Sequence, residues 1–404
     1  MKIYKSTGRR RTRDDTGVVM HRAKRVGPAV GGVVAALLTL SVLPASGANA
    51  GATSGHQQSP KAHKTVKVVD FANYADAGLL FVSMQDGIDS ATKVLHVQVK
   101  NYNNQANALT TLSNAKTMAL NKPDLILEYD PVADVGPRLG QTFSRAGIKC
   151  IAVNIPFPGC PWFNQSDAAI ASSMAHEMAP LMKVKHWTGA NTTVVIMDHP
   201  QDGASVNTFV WQCYTDLAAL VPGMKRVPLS QISSGTTSIG TTGLQIDGGS
   251  TEDTAYAAFQ AGLNSIPHNR NVVLFTLDDI YTVPAYRALV QAHRQGHAMI
   301  SGFGGSSQAL TALRSNPSWV AEATSFFPQW GEFLMAMGQA LVNGAKAPAQ
   351  TLPPEVALTK KNVNSYYPPG SGEIAKELPA LPEVDAYIVK TGVLQKFHNI
   401  QGIK

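Results

Sequence analysis

From residue 66 to residue 343 the chain alternates two hydrophobic periods with few interruptions. Short β-rich runs occupy 66–71, 94–99, 125–128, 150–153, 193–197, 272–275 and 298–301. Between them, apolar residues recur at helical spacing. Within 78–92, Leu80, Met84, Ile88 and Ala91 follow one another at intervals of four, four and three, and within 107–121 Ala108, Leu112, Ala115 and Ala119 do the same. Such rows cover one side of a sheet. Repeated strand–helix–strand order requires crossover connections, so the pattern predicts an α/β fold of parallel sheets with helices on both faces. Beyond residue 361 the periodicity fades. Tyr366-Tyr367-Pro368-Pro369-Gly370 breaks it, and the run 386–389 is left as an edge strand or as no element.

The first 50 residues follow another rule. Nine Lys and Arg lie there against Asp14 and Asp15, followed by an apolar run over 26–43 and then Ala48-Asn49-Ala50. A basic segment, an apolar segment and small residues describe a secretory signal, with cleavage expected after Ala50. Met20, followed by His21, Arg22, Lys24 and Arg25, would start a signal of the same form. The chain beyond the signal contains no apolar stretch of about 18 residues, so no membrane span is expected. No cysteine stands at the cleavage position to carry a lipid. The expected location is periplasmic or secreted. The signal also carries the whole excess charge: of 34 basic and 27 acidic residues, the remainder keeps 25 of each. The basic pI therefore does not point to nucleic acid.

Candidate chemistry is sparse. No nucleophile elbow, Walker-type glycine loop or HExxH motif occurs. His293 and His297 have i, i+4 spacing but no suggested third ligand, and read as solvated histidines. Asp278-Asp279 follows a strand and is read as a helix cap or a partner for a ligand hydroxyl. Gly302-Phe303-Gly304-Gly305-Ser306 could approach a phosphate or form a tight turn capped by Ser306. Of three cysteines, Cys150 reads as a buried small hydrophobe. Either Cys160 and Cys213 pair, or no disulfide forms. What stands out is a series of polar and aromatic residues at predicted strand ends: Asp70-Phe71, Asn101 to Gln105, Asn154, Asp198-His199, Asp278-Asp279 and Gly302-Phe303. In open α/β sheets ligands bind outside those ends. Amides, carboxylates and aromatic faces together suit a sugar or polyol.

The segments LFVSMQDG (80–87), NYNNQ (101–105), GIKCIAVN (147–154), LDDIYTVPAYRAL (277–289), MISGFG (299–304) and the helix–Gly–Lys stretch 338–346 resemble, in this order, the type I periplasmic binding proteins of the ribose-binding class. The resemblance runs from 66 to 361. It implies two Rossmann-like lobes joined by three crossover segments, with a ligand cleft between them. On this reading lobe 1 is 66–166 with 327–357, lobe 2 is 167–326 with 358–368, 51–65 is a leader and 369–404 a tail. The resemblance places Phe81 at a position that stacks on sugar and Asn154 where the family carries Asp. Asp278 falls where the family carries Asn. Val210-Trp211 falls where an Arg is usual, Gly304 replaces an Asp, and Phe326 lies near a usual Gln. The implied site is more apolar and less charged than a ribose site. Its contacts are Phe81, Asn154, Trp211 and Asp278, with Asp70, Asn104 and Phe326 beside them.

The expected function is therefore capture of a small neutral solute, a sugar or polyol, for an ABC-type importer. The expected partners are that solute and the importer's membrane permease, with the protein a monomer. No cofactor, metal, nucleic acid or catalytic activity is expected. A ligand-presenting component of a sensory system would have the same features. A sugar-responsive repressor would need an N-terminal helix-turn-helix where the signal stands, and an exported α/β enzyme would need a nucleophile or metal set.

Overall fold

The structure, a computed structural model, describes residues 64–76 and 78–403. The expected signal and its expected cleavage position lie outside the described residues. The first half builds β1 (Val68–Asn73), α1 (Leu79–Leu95), β2 (Gln98–Asn103), α2 (Ala108–Asn121), β3 (Leu125–Asp130), α3 (Gly136–Ala146), β4 (Cys150–Asn154) and β5 (Trp162–Phe163). The chain continues through α4 (Asp167–Val184), β6 (Thr192–Asp198), α5 (Ala204–Leu220), β7 (Ser238–Ile239) and β8 (Gly243–Asp247). Next come α6 (Glu252–Ser265), β9 (Asn271–Thr276), α7 (Asp279–Gln291), β10 (Ala298–Phe303), α8 (Ser307–Ser315) and β11 (Trp319–Thr324). It closes with α9 (Trp330–Val342), β12 (Gln350–Thr351), β13 (Val356–Leu358), α10 (Val363–Tyr366) and α11 (Ala386–Val389).

Two sheets result. One has the order β2-β1-β3-β4-β5-β12 and the other β7-β8-β6-β9-β10-β11-β13. All neighbours are parallel except the outermost pairs of the second sheet, β7 with β8 and β13 with β11. Each core repeats one topology, in which the first strand lies between the second and the third. This creates a switch point between β1 and β3 and another between β6 and β9, where crevices form outside the strand ends. The chain passes between the sheets at 164–166, 325–326 and 352–355.

The strand sequences explain the burial. In β3, Leu125, Leu127 and Tyr129 join the large cluster with α1 and α9, while Ile126 joins a second cluster with Leu112, Met118 and Phe143 of α2 and α3. The Ile126 face continues through Glu128 and Asp130, which are buried too, so the strand is covered on both faces as parallel sheets require. Helix α9 is buried almost all round, from Trp330 to Leu341. Its approach to α1 requires glycine: a Cβ on Gly87 would lie 2.4 Å from the Pro328 carbonyl oxygen, and one on Gly331 would lie 2.3 Å from that of Gly87.

The α/β expectation agrees with the structure, with local corrections. Helix α1 runs on to Leu95 and is closed by His96 in the left-handed region, so β2 begins at Gln98 instead of 94. In α2 the buried row is Thr111, Leu112, Ala115 and Met118, and Ala108 is exposed. The short strands β5, β7, β12 and β13 and the longer β8 and β11 were not anticipated. The 386–389 run is a helical turn, not an edge strand, with Ile388 buried. It belongs to a tail that packs down. Leu378 and Ile400 form a parallel bridge, the Gln329 amide exchanges hydrogen bonds with the Ala375 backbone, and Asn399 Nδ2 donates to Glu332 Oε1 at 2.9 Å.

The cysteine expectation is overturned. Cys150 pairs with Cys160, at a Cα–Cα distance of 5.1 Å, and Cys213 is buried and free. Cys150 opens β4 and Cys160 lies just before β5, which returns beside it. Strand pairing brings them together while Cys213 sits inside the other half. Among the described residues no helix is long and apolar enough to cross a membrane. No group of three or more metal-capable side chains occurs among them either. His297 Nδ1 lies 3.4 Å from Asn271 Oδ1. Ser306 caps α8 by accepting from the Ala309 amide at 3.2 Å, which favours the turn over a phosphate loop in 302–306.

Candidate functional site

The strand ends at the two switch points supply the site. In the first sheet β1 ends at Asn73, whose Nδ2 donates to the Phe81 carbonyl at 2.8 Å and so ties the start of α1 to the strand. The turn sets three rings in a row: Tyr74 and Phe81 at 5.4 Å between centroids, Phe81 and Tyr129 at 5.7 Å. Tyr129 is buried at the end of β3, and its neighbour Asp130 closes the strand. Asp130 accepts from the Val132 amide at 2.8 Å and from Thr111 Oγ1 at 3.0 Å. Burial nevertheless raises its pKa to about 6. Asn154 ends β4 in register with Asp130. It is left-handed, with φ 76°, and its backbone carbonyl accepts from Trp162 Nε1 at 2.8 Å. Among the described residues its side-chain amide makes no hydrogen bond, so it remains open to a guest.

In the second sheet β6 ends at Asp198, wholly buried. Its Oδ2 accepts from Gln245 Nε2 at 2.8 Å, while its Oδ1 has no partner among the described residues. Burial, reinforced by the charges of Asp247 and Asp202, raises its pKa to about 8 despite the Gln245 bond. Asp247, the end of β8, stands in register with Asp198 and meets His199 Nδ1 at 3.0 Å. Asp202, in the turn Pro200–Asp202, is held at about 6 by burial, with His199 opposing and Asp247, Asp130 and Asp167 adding to the rise. Asp278 follows β9 and caps α7, its Oδ1 accepting from the Ile280 amide at 2.9 Å. Burial raises it to about 7; the amide bond opposes this, and the charges of Asp279 and Asp202 add to it.

The two rims lie near each other: a Cβ on Gly203, next to Asp202, would lie 3.7 Å from the Cβ of Ala133, three residues after Asp130. Tyr129, of the first sheet, is held well above its ordinary pKa by burial and then by the charges of Asp202 and Asp278, both of the second sheet. A further contact comes from the tail: Glu373 accepts from Ser83 Oγ of α1 at 3.4 Å and from the Ser307 amide of α8 at 2.9 Å. One carboxylate thus touches both halves at the edge of a crevice lined by Leu80, Asp278, Gly304 and Pro328.

Of the residues named from sequence, Phe81, Asn154 and Asp278 come together on these rims. The other four are occupied elsewhere. Asp70 is buried early in β1, accepting from Tyr102 Oη at 3.1 Å and from Asn121 Nδ2 at 2.9 Å, near the far end of α2. Asn104 is buried between Glu128, to which it donates at 2.8 Å, and Asn114, from which it accepts at 2.9 Å. Trp211 Nε1 donates to the Val227 carbonyl at 2.8 Å, which turns the indole toward the segment after α5. Phe326 is buried in the crossing segment, its ring 5.9 Å from Tyr366 and 6.0 Å from Tyr367. Tyr74, Tyr129, Asp130, Asp202 and Asp247 were not named. Extending the third predicted strand by two residues would have reached Tyr129 and Asp130. Asp247 lay hidden because β8 was not recognised. The carboxylates make the site more charged than the resemblance implied.

Comparison with known proteins agrees with this architecture. The profile described as periplasmic binding protein domain matches residues 69–346. No curated protein sequence matches the chain. Solved structures do. A myo-inositol binding protein of Caulobacter, with myo-inositol bound, superposes with TM-score 0.61 at 18% identity, covering 74% of this chain and 95% of its own. A 5-methylthioribose transporter solute binding protein from Thermotoga lettingae, in complex with 5-methylthioribose, gives TM-score 0.61 at 17% identity over 82% of this chain and 100% of its own. An ABC transporter solute binding protein of Mycobacterium smegmatis with bound glycerol gives 0.62 at 14% identity over 78% and 100%. At such identities these likenesses speak for the fold alone. The profile covers more than half of the chain, and so the chain belongs to the periplasmic binding protein family.

Proposed function

We propose that this protein is an exported solute-binding component of an ABC-type importer that captures a sugar- or polyol-like solute between two lobes and presents it to a membrane permease. The observation that carries this is the pairing of two strand-end rims, Tyr74, Phe81, Tyr129, Asp130 and Asn154 on one sheet and Asp198, Asp202 and Asp278 on the other. Ring faces suit the C–H surfaces of a sugar, and carboxylates and an amide suit its hydroxyls. The solutes named for the structural neighbours, glycerol, myo-inositol and 5-methylthioribose, support the same class. The lobes are 66–166 with 327–357 and 167–326 with 358–368. A ligand held by both rims has differential affinity for the closed arrangement and so drives closure about the three crossing segments.

A thermal-shift and calorimetric screen of sugars and polyols tests this. At a hundred times the dissociation constant a bound solute stabilises the protein by about 2.7 kcal/mol. X-ray scattering with that solute should show a smaller radius of gyration. Absence of binding across the screen, turnover of the bound compound, or identical scattering with and without it would each count against the reading.

A further inference from the structure

The whole-chain charge balance suggests a neutral solute, but a cleft is read from the groups that line it. The rims hold Asp130, Asp198, Asp202, Asp247 and Asp278, with Asp167 acting on Asp202 from the start of α4. The charges named on Asp198, Asp202 and Asp278 are those of neighbouring carboxylates, Asp279 among them, and of His199, which is itself engaged by Asp247. Among the described residues no lysine or arginine forms an ion pair with any of these carboxyls. Hydrogen-bond capacity is lopsided in the same sense. Asp198 Oδ1 is a fully buried acceptor without a donor, and Asn207 Oδ1 in the first turn of α5 is another. Donors on the rims are the hydroxyls of Tyr74 and Tyr129, the Asn154 amide and any rim carboxyl while it holds its proton; once an ammonium displaces those protons, the carboxyls are acceptors only. A polyol hydroxyl brings one donor and an acceptor that needs its own partner, whereas an ammonium brings three donors and no acceptor. The ring faces of Tyr74, Phe81 and Tyr129 attract a cation as well.

Resting on the sugar- or polyol-binding reading, we propose that the solute carries one protonated amine, seated against the Tyr74–Phe81–Tyr129 row and between Asp130 of one lobe and Asp202 and Asp278 of the other. The amine neutralises like charges that the closing lobes would otherwise crowd together, and a carboxylate in each lobe makes its contribution largest in the closed state. Binding is accordingly pH-linked. The groups facing the niche are Asp130, Asp167, Asp198, Asp202, Asp247, Asp278, His199, Tyr74, Tyr129 and Tyr281. With Asp130 and Asp202 raised to about 6 and Asp278 to about 7, these carboxyls are partly protonated at pH 6.5, so an ammonium seated there releases protons and its binding weakens as pH falls through 6.

The test is isothermal titration calorimetry of the exported chain against matched pairs: glucose and glucosamine, galactose and galactosamine, mannose and mannosamine, glycerol and serinol, scyllo-inositol and scyllo-inosamine. Titrations at pH 6.5, where the amines are charged and the carboxyls still partly protonated, in phosphate and in Bis-Tris separate proton release from binding heat. At least one amine should bind ten times or more tighter than its hydroxyl twin and release protons. Asp202→Asn, and separately Asp130→Asn in the opposite lobe, should each narrow that gap about tenfold with melting temperature recorded alongside. Hydroxyl twins that bind as tightly as their amines, or amine binding without proton release, overturn the inference and leave sugar capture standing. A panel in which no member binds overturns both.

Discussion

Opening the Cys150–Cys160 bridge is the most direct perturbation of the site's framework. The bridge closes a loop with a sequence separation of 10 around Asn154, the rim residue that ends β4. Cross-linking a loop of this size removes chain entropy from the unfolded state worth about 3 kcal/mol in the loop-closure model. Both sulfurs are buried, so Cys150→Ala with Cys160→Ala loses little apolar contact beyond the bond itself. For a body of about 340 residues, an unfolding entropy of about 2.1 cal/mol/K per residue converts that loss into a melting-temperature drop of about 4 °C. If only the first lobe unfolds in the transition, its smaller entropy makes the drop about 10 °C. The magnitude therefore also reports whether the lobes melt together. Differential scanning calorimetry with and without reductant, and of the double variant, measures it. Peptide mapping under non-reducing conditions should recover residues 150 and 160 joined. A melting temperature unmoved by reduction, or a mapped Cys160–Cys213 peptide, would refute the reasoning.

Three further outcomes are expected. Asp278→Ala removes both the α7 cap and a rim carboxylate, so it should cost about 1 kcal/mol of stability and weaken solute binding together; urea melts paired with calorimetry check it, and loss of stability with intact affinity would confine Asp278 to capping. Burial raises Glu332 of α9 from its ordinary 4.5 to about 7 against the Asn399 bond. The folded state therefore holds a proton that the unfolded chain has lost, and stability falls as pH climbs from about 4.5 to 7, by on the order of 3 kcal/mol for this group. Glu332→Gln should flatten that slope in urea melts at pH 5 and pH 8, and equal slopes would discard the assignment. Amino-terminal sequencing of exported protein should begin at Gly51, and a mature chain that retains residues 26–43 would contradict the signal reading.

The alternation of periods was enough to place the α/β class and seven of the thirteen strands among the described residues, because a strand's two-residue and a helix's 3.6-residue repeat are local properties. The row Leu80, Met84, Ile88 and Ala91 fits α1, and the same helix carries Phe81 off that row toward Tyr74 and Tyr129. The charge excess of the first 50 residues is equally local. What the chain could not disclose by itself is which polar residues share an edge. Asp70 and Asp130 both lie on strands of the same sheet, yet Asp70 sits early in β1 under Tyr102 and Asn121 while Asp130 reaches the rim. Trp211 was placed in the site only by the resemblance, at a position where an Arg is usual, and its indole donates instead to a carbonyl sixteen residues on. Cys160 found Cys150 and not Cys213 because β5 returns beside β4. The carboxylates of the cleft lie on strands far apart in sequence and become neighbours through strand order and the meeting of two sheets. Periodicity records what one residue does to the next turn or pleat. The niche is built from contacts between residues dozens of positions apart, and only packing decides those.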